Sequence, residues 1–244
     1  LRAAERVWLH ARVLAFALRA SFRRCVAALP LGGAWTFILP ESPSVRVWCT
    51  TLAVGLVGPW LVLGRDASRR ADGFREAVRL GRRSARLVLA ELLGPAVTLA
   101  ALALLWSGGA GLPALVTTLW GVAVLALADG FDRRAPHAGA AAVSTLVVVG
   151  LLLATPWLCS PWMGQGLGHW VATLTFGLHP AGIAHAAAGR AVLQDPFFYT
   201  WTLSGTVDAR PMAALHGLVF LSVLAVFAAG FSVRSARRAL RSTT

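Results

Sequence analysis

Not one lysine occurs among the 244 residues, and all 23 basic side chains are arginine. That absence has chemical content. A P-loop grips nucleotide phosphates with a lysine, and Schiff-base catalysis needs a lysine amine. This chain can supply neither. Cysteine is scarce as well: Cys25, Cys49 and Cys159 are scattered, with no C-x-x-C pair that would read as a zinc or redox site. Acidic residues number only ten, and none sits at the centre of an apolar run. Glu91 and Asp129 fall near the ends of theirs, which argues against ion-coupled transport, where ionisable groups belong at mid-membrane depth. No H-E-x-x-H pair is present, and Ser204-Gly205 lacks the flanking glycine of a nucleophile elbow, so an intramembrane protease is excluded.

What is present is apolar. The chain is 57% hydrophobic and 14% charged, with a mean hydropathy of +0.67. A soluble domain of this length does not have that composition, so the expected class is an all-α, polytopic membrane protein. The net charge of +13 does not point to nucleic acid. The arginines cluster at the ends of apolar runs, where membrane topology alone accounts for them. Arg2 to Arg24 is too regularly charged for the apolar core of a cleavable signal peptide.

Taken along the chain, residues 1–24 carry an apolar stripe at helical spacing (Val7, Ala11, Leu14, Leu18, Phe22), with Arg12, Arg19 and Arg23 elsewhere. This predicts an amphipathic helix in the headgroup plane. Apolar spans are expected at about 25–39, 47–63, 87–106, 113–128, 138–158 and 212–231. The first has only 15 apolar residues and is interrupted by Pro30 and Gly32-Gly33. A turn at Ser107–Gly111 and a short loop at Asp129–Arg134 connect later spans. Twenty of the 23 arginines fall on one side of this scheme (1–24, 65–86, 133–134, 234–241), and Arg46, Arg190 and Arg210 on the other. The asymmetry predicts six spans with both termini cytoplasmic.

Two segments stand apart. Residues 65–86 hold eight arginines against Asp66, Asp72 and Glu76. Phe74, Ala77, Val78, Gly81 and Ala85 form one apolar stripe, with Arg75, Arg79, Arg82, Arg83 and Arg86 largely opposite it. Two readings stay open: an ordinary loop obeying the positive-inside rule, or a helix on which a soluble partner pushes. Residues 159–211 lie outside yet are rich in aromatics. They contain two helix-like pieces, 167–178 and 181–193, separated by His179-Pro180. Each is too short to span and is expected to be re-entrant or interfacial. His169, His179, His185 and His216 fall near this face, but their spacing does not gather a haem or metal ligand set. Cys49 and Cys159 both lie toward it, where an oxidising compartment permits a disulfide.

The layout resembles that of ABC type-2 transporter permeases, the membrane subunits of ABC exporters. The likeness rests on an interfacial N-terminal helix and on the charged segment after span two, with Arg65, Arg69, Arg70, Gly73 and Glu76. It extends to the basic pair Arg82-Arg83 leading into span three, the basic turn Arg133-Arg134, Pro156 near the end of span five, and two short outer helices before span six. It covers the whole chain in layout and is loose in letters. The family's usual proline before the basic pair is missing, and Glu91 stands where a lysine commonly opens span three. The resemblance implies one permease domain over 1–244, a homodimer or a pairing with a similar subunit, and a cytoplasmic ABC ATPase that binds the ATP. It implies no cofactor or catalytic residue in this chain, no nucleic-acid partner, and a place among the lipids of a bacterial cytoplasmic (inner) membrane. ATPase coupling would fall to Arg65, Gly73, Phe74, Arg75, Glu76, Ala77, Val78, Arg79, Arg82 and Arg83. A structural or assembly subunit of a larger membrane complex, and a cofactor-bearing enzyme using the outer histidines, are the competing classes.

Overall fold

The computed structural model describes residues 24–30, 33–34, 43–63, 84–107, 111–135, 137–163, 166–189 and 214–241. Every element among them is helical: α1 (Pro43–Val62), α2 (Ser84–Trp106), α3 (Gly111–Asp132), α4 (Ala138–Met163), α5 (Gly168–Leu178), α6 (Pro180–Ala187) and α7 (Ala214–Arg241). Residues 24–30 are helical too. Among the described residues four stretches are long and apolar enough to cross a membrane: Val45–Val62, Gly111–Asp132, Gly139–Met163 and Ala214–Arg238. The apolar part of α2, Glu91–Trp106, is shorter. The chain is therefore a helical membrane protein, as its composition requires. The run at 25–39 is described only in part, and residues 1–23 lie outside the described residues.

Helix α3 is the axis of the bundle. It packs against α1, α2, α4, α6 and α7, and residues on every side of it are buried, from Pro113 to Gly130. An apolar helix without a polar face is the kind that occupies an interior. The long helix α7 beside it buries mainly one stripe. In α7 the residues Gly217, Leu221, Ala225, Ala228, Ser232 and Ser235 are buried at steps of three and four, with Ala236 beside the last, while Leu215, Val219, Val226 and Phe227 are exposed. Exposed apolar side chains of this kind suit a lipid surrounding.

Helices approach closely where side chains are small, because van der Waals contact replaces the hydrophobic drive inside a membrane. A methyl group on Gly121 of α3 would lie 2.7 Å from Val54 Cγ1 of α1 and 3.3 Å from Leu99 Cδ1 of α2. Gly55 and Gly58 of α1 form the other half of this seam, with Gly55 against Trp120 Nε1 and Gly58 against the Gly121 carbonyl. The indole N–H of Trp120 donates to the Thr51 carbonyl at 3.2 Å, which gives a buried donor its acceptor. Hydroxyls are satisfied locally: Thr50, Thr51, Thr98, Thr117, Thr118 and Thr145 each donate to the carbonyl four residues earlier. In an apolar surrounding this removes the penalty of an unpaired hydroxyl.

Several helix boundaries differ from the sequence reading. Asp129–Asp132, expected as part of a loop, belongs to α3. Asp and Gly read as stop signals, but here the Asp129 carboxylate is paired inside the bundle, so the helix runs on. Helix α7 also continues well past Phe231, to Arg241. The break expected at His179-Pro180 is present between α5 and α6, while α6 stops at Ala187, earlier than 193. Gly189 follows with φ of 70°, the left-handed conformation that favours glycine at a helix end. All three thiols are free, so Cys49 and Cys159 do not pair.

Candidate functional site at the arginine-bearing end

The ten residues expected to couple the chain to an ATPase, Arg65, Gly73, Phe74, Arg75, Glu76, Ala77, Val78, Arg79, Arg82 and Arg83, lie outside the described residues. The structure does describe the helices that bracket them: α1 ends just before residue 65 and α2 begins at Ser84.

Both helices are fastened at that end. Arg24 Nη1 donates to the Trp60 carbonyl at 2.9 Å and to the Leu63 carbonyl. The Trp60 carbonyl belongs to the last turn of α1 and Leu63 follows it directly, where the helix has no amides left to satisfy them. A cationic donor also complements the negative end of the helix dipole. On α2, Glu91 accepts from Arg133 Nη2 at 2.5 Å. Arg133 Nε reaches Asp129 Oδ2 at 2.6 Å, and its Nη2 reaches Asp129 Oδ1 at 3.2 Å. The same Asp129 Oδ2 accepts from Ser232 Oγ of α7 at 2.5 Å. One arginine just beyond α3 thus joins a carboxylate of α2 to one of α3, and the latter holds α7.

The cluster is withdrawn from solvent. Side-chain exposure is 8% for Arg133, 7% for Glu91 and 0% for Asp129. Burial by itself pulls the Arg133 guanidinium down, but the adjacent Asp129 and Glu91 carboxylates outweigh it and hold Arg133 above its usual range. It is charged at every accessible pH. Arginine suits this role because its planar fork can bond two carboxylates at once. Next to it, Arg134 Nε donates to Ser235 Oγ of α7 at 2.7 Å, and its guanidinium carbon lies 4.3 Å above the Phe231 ring centre. Phe231 in turn meets Phe131 edge-on, with centroids 5.2 Å apart.

Sequence reasoning placed Glu91 and Asp129 at the ends of their runs but found no partner for them. Nothing local signals that Glu91 pairs with a residue 42 positions away.

The opposite end carries a second polar junction. Pro156 interrupts α4, and having no N–H it cannot bond the Leu152 carbonyl. Thr155 Oγ1 donates to that carbonyl instead, at 2.8 Å. Next to it the Leu153 carbonyl is 3.2 Å from His179 Nε2. His179 Nδ1 accepts from the Ala181 amide at 3.2 Å and caps α6. Nε2 therefore carries the proton, and the ring is the neutral tautomer. Trp48 of α1 stacks on it with centroids 4.7 Å apart. His179 lies between the short helices, off any spanning stretch, and is 1% exposed. Burial pushes it down to about 3, against the weaker opposing effect of the Leu153 carbonyl. His185 is equally buried. Among the described residues no group of three or more His, Cys, Asp or Glu side chains is placed to hold a metal ion.

Compared with family models, with curated proteins and with solved structures, the chain matches none.

Proposed function

We propose that this chain is the membrane-spanning permease subunit of an ATP-driven ABC exporter, acting as a dimer with itself or a similar chain and driven by separate ATPase subunits. In this reading the chain has six spans, both termini are cytoplasmic and the membrane is a bacterial inner one. The arginine asymmetry supports that orientation. ATP is bound and hydrolysed by the partner, in keeping with a sequence that has no lysine for a P-loop.

One observation carries the reading beyond the layout. The helices on either side of residues 65–86 are anchored at the same end of the bundle, α1 by Arg24 and α2 through Glu91 and Arg133. A force applied to the segment between them cannot be absorbed by bending one loose helix end. It passes from α2 to Arg133, then to α3 and, through Asp129 and Ser232, to α7. Separating a buried ion pair of this kind costs on the order of 3–5 kcal/mol, so the three helices respond to a moderate push as one body. A loop whose only task is to carry topological charge has no need of such a mounting.

The test leaves every arginine in place. Phe74→Asp removes the apolar anchor of the stripe, and an anchor at a buried interface centre is worth about 2 kcal/mol. The expected result is roughly thirtyfold weaker capture of a co-expressed cognate ATPase, with membrane insertion and protein level unchanged. If the variant still captures the ATPase as the parent does, the segment serves topology alone. The reading as a structural or assembly subunit then takes the place of the permease.

A further inference from the structure

We propose that Arg134, with Arg234 and Arg238 beside it, holds the headgroup phosphate of an anionic phospholipid that lies along one face of α7. The proposal does not depend on the exporter reading. Arg134 is exposed, yet its side chain is fixed. Its Nε donates to Ser235 Oγ, and its flat face rests on the Phe231 ring. That ring is itself seated against Gly130 of α3, where an added methyl group would come within 2.2 Å of Phe231 Cδ1. With Nε occupied and one face covered, the two Nη groups have no further hydrogen bond or ion pair among the described residues. An arginine fork held in one orientation, with its outer donors open, is shaped for a phosphate.

The neighbouring charges fall on the same side. At 100° per residue, Phe231, Arg234, Ser235 and Arg238 share an arc of about 100° on α7. Arg234 and Arg238 are both exposed, and neither has an ion pair among the described residues. What selects a lipid over a free anion is the continuation of this face. Phe227 lies on it, 74% exposed, and Val223 lies about 20° beyond its edge, 47% exposed. Phe227 is two turns, about 10 Å, from Arg234 along the axis. A single face thus offers apolar side chains within the spanning stretch and three arginines where that stretch ends at Arg238. Acyl chains along Val223 and Phe227 would bring a headgroup phosphate to the arginines. Clustered basic residues at the end of a spanning helix attract anionic lipid in general. The pinned Arg134 adds a defined partner to that diffuse attraction.

The full chain is purified in mild detergent. Bound lipid is then measured by native mass spectrometry after titration with phosphatidylglycerol, with phosphatidylcholine, and with inorganic phosphate alone. Phosphatidylglycerol is expected to bind and to raise the unfolding temperature; the other two are not. Arg134→Lys keeps the charge and loses the fork, and should weaken phosphatidylglycerol binding about tenfold. Phe231→Leu removes the platform and should act in the same direction. Arg46→Gln, on α1 away from this face, should bind as the parent does. Equal phosphatidylglycerol binding by the parent and Arg134→Lys overturns the proposal. So does equal binding of phosphatidylcholine, or an equal rise in unfolding temperature with inorganic phosphate.

Discussion

Replacing Arg133 by methionine tests how the arginine-bearing end is held together. The substitution keeps an unbranched side chain of similar length and removes three charge-assisted contacts, at 2.5, 2.6 and 3.2 Å. The loss is dominated by what remains. Two carboxylates, 0% and 7% exposed, would keep their buried positions without the guanidinium that compensates them. Removing one partner of a buried pair costs about 3–5 kcal/mol, whereas removing all the charges together is often close to neutral. Arg133→Met should therefore lower unfolding stability by about 3–5 kcal/mol, read from sodium dodecyl sulfate titration in mixed micelles. The triple variant Arg133→Met, Asp129→Asn, Glu91→Gln should recover most of that loss. No charge is left unmatched in it, and the new amide oxygen on α3 still accepts from Ser232. Two results would refute the reasoning. In one, the single variant lies within about 0.5 kcal/mol of the parent, as an ordinary surface change does. In the other, the triple variant is no better than the single.

Two further outcomes follow from the packing and the second junction. Gly121→Ala should destabilise by about 1–3 kcal/mol, since its methyl group would sit 2.7 Å from Val54. Gly150→Ala, which has nothing within 4 Å, should be neutral or slightly stabilising in the same titration. His179 is depressed from 6.5 to about 3, so the unfolded chain binds the extra proton between those values. Stability should be level above about pH 6.5 and fall as pH drops toward 3, by up to about 1.4 kcal/mol per unit. His179→Asn keeps an acceptor for the Ala181 amide and should flatten the profile between pH 7.5 and 5.

Apolar runs were readable in the sequence because hydropathy needs no knowledge of neighbours. α1 to α7 lie where those runs predicted helices, and the His179-Pro180 break was legible from the proline alone. The joining of elements was not legible. Asp129 looked like the start of a loop because an unpaired aspartate ends a membrane helix. Its pairing with Arg133 follows helical spacing, but its bond to Ser232 spans 103 positions. His179 was weighed as a ligand for haem or metal and serves instead as a helix cap and as a donor beside a proline-broken rung of α4. That role depends on where Leu153 lies in space, which no periodicity encodes. The coupling residues between 65 and 83 remain a sequence expectation, since they lie outside the described residues.

The placement of α3 has a consequence for any solute. The middle of a ring of helices is where a water-filled conduit would run, and among the described residues the largely buried α3 occupies that place, with the Gly121 seam on one side and Phe231 against Gly130 on the other. The described helices thus form a bundle whose centre is occupied by α3. On the exporter reading proposed above, a solute would travel along the outward faces of the peripheral helices instead of along this axis. On the same reading, the second permease subunit would supply the far wall of that route.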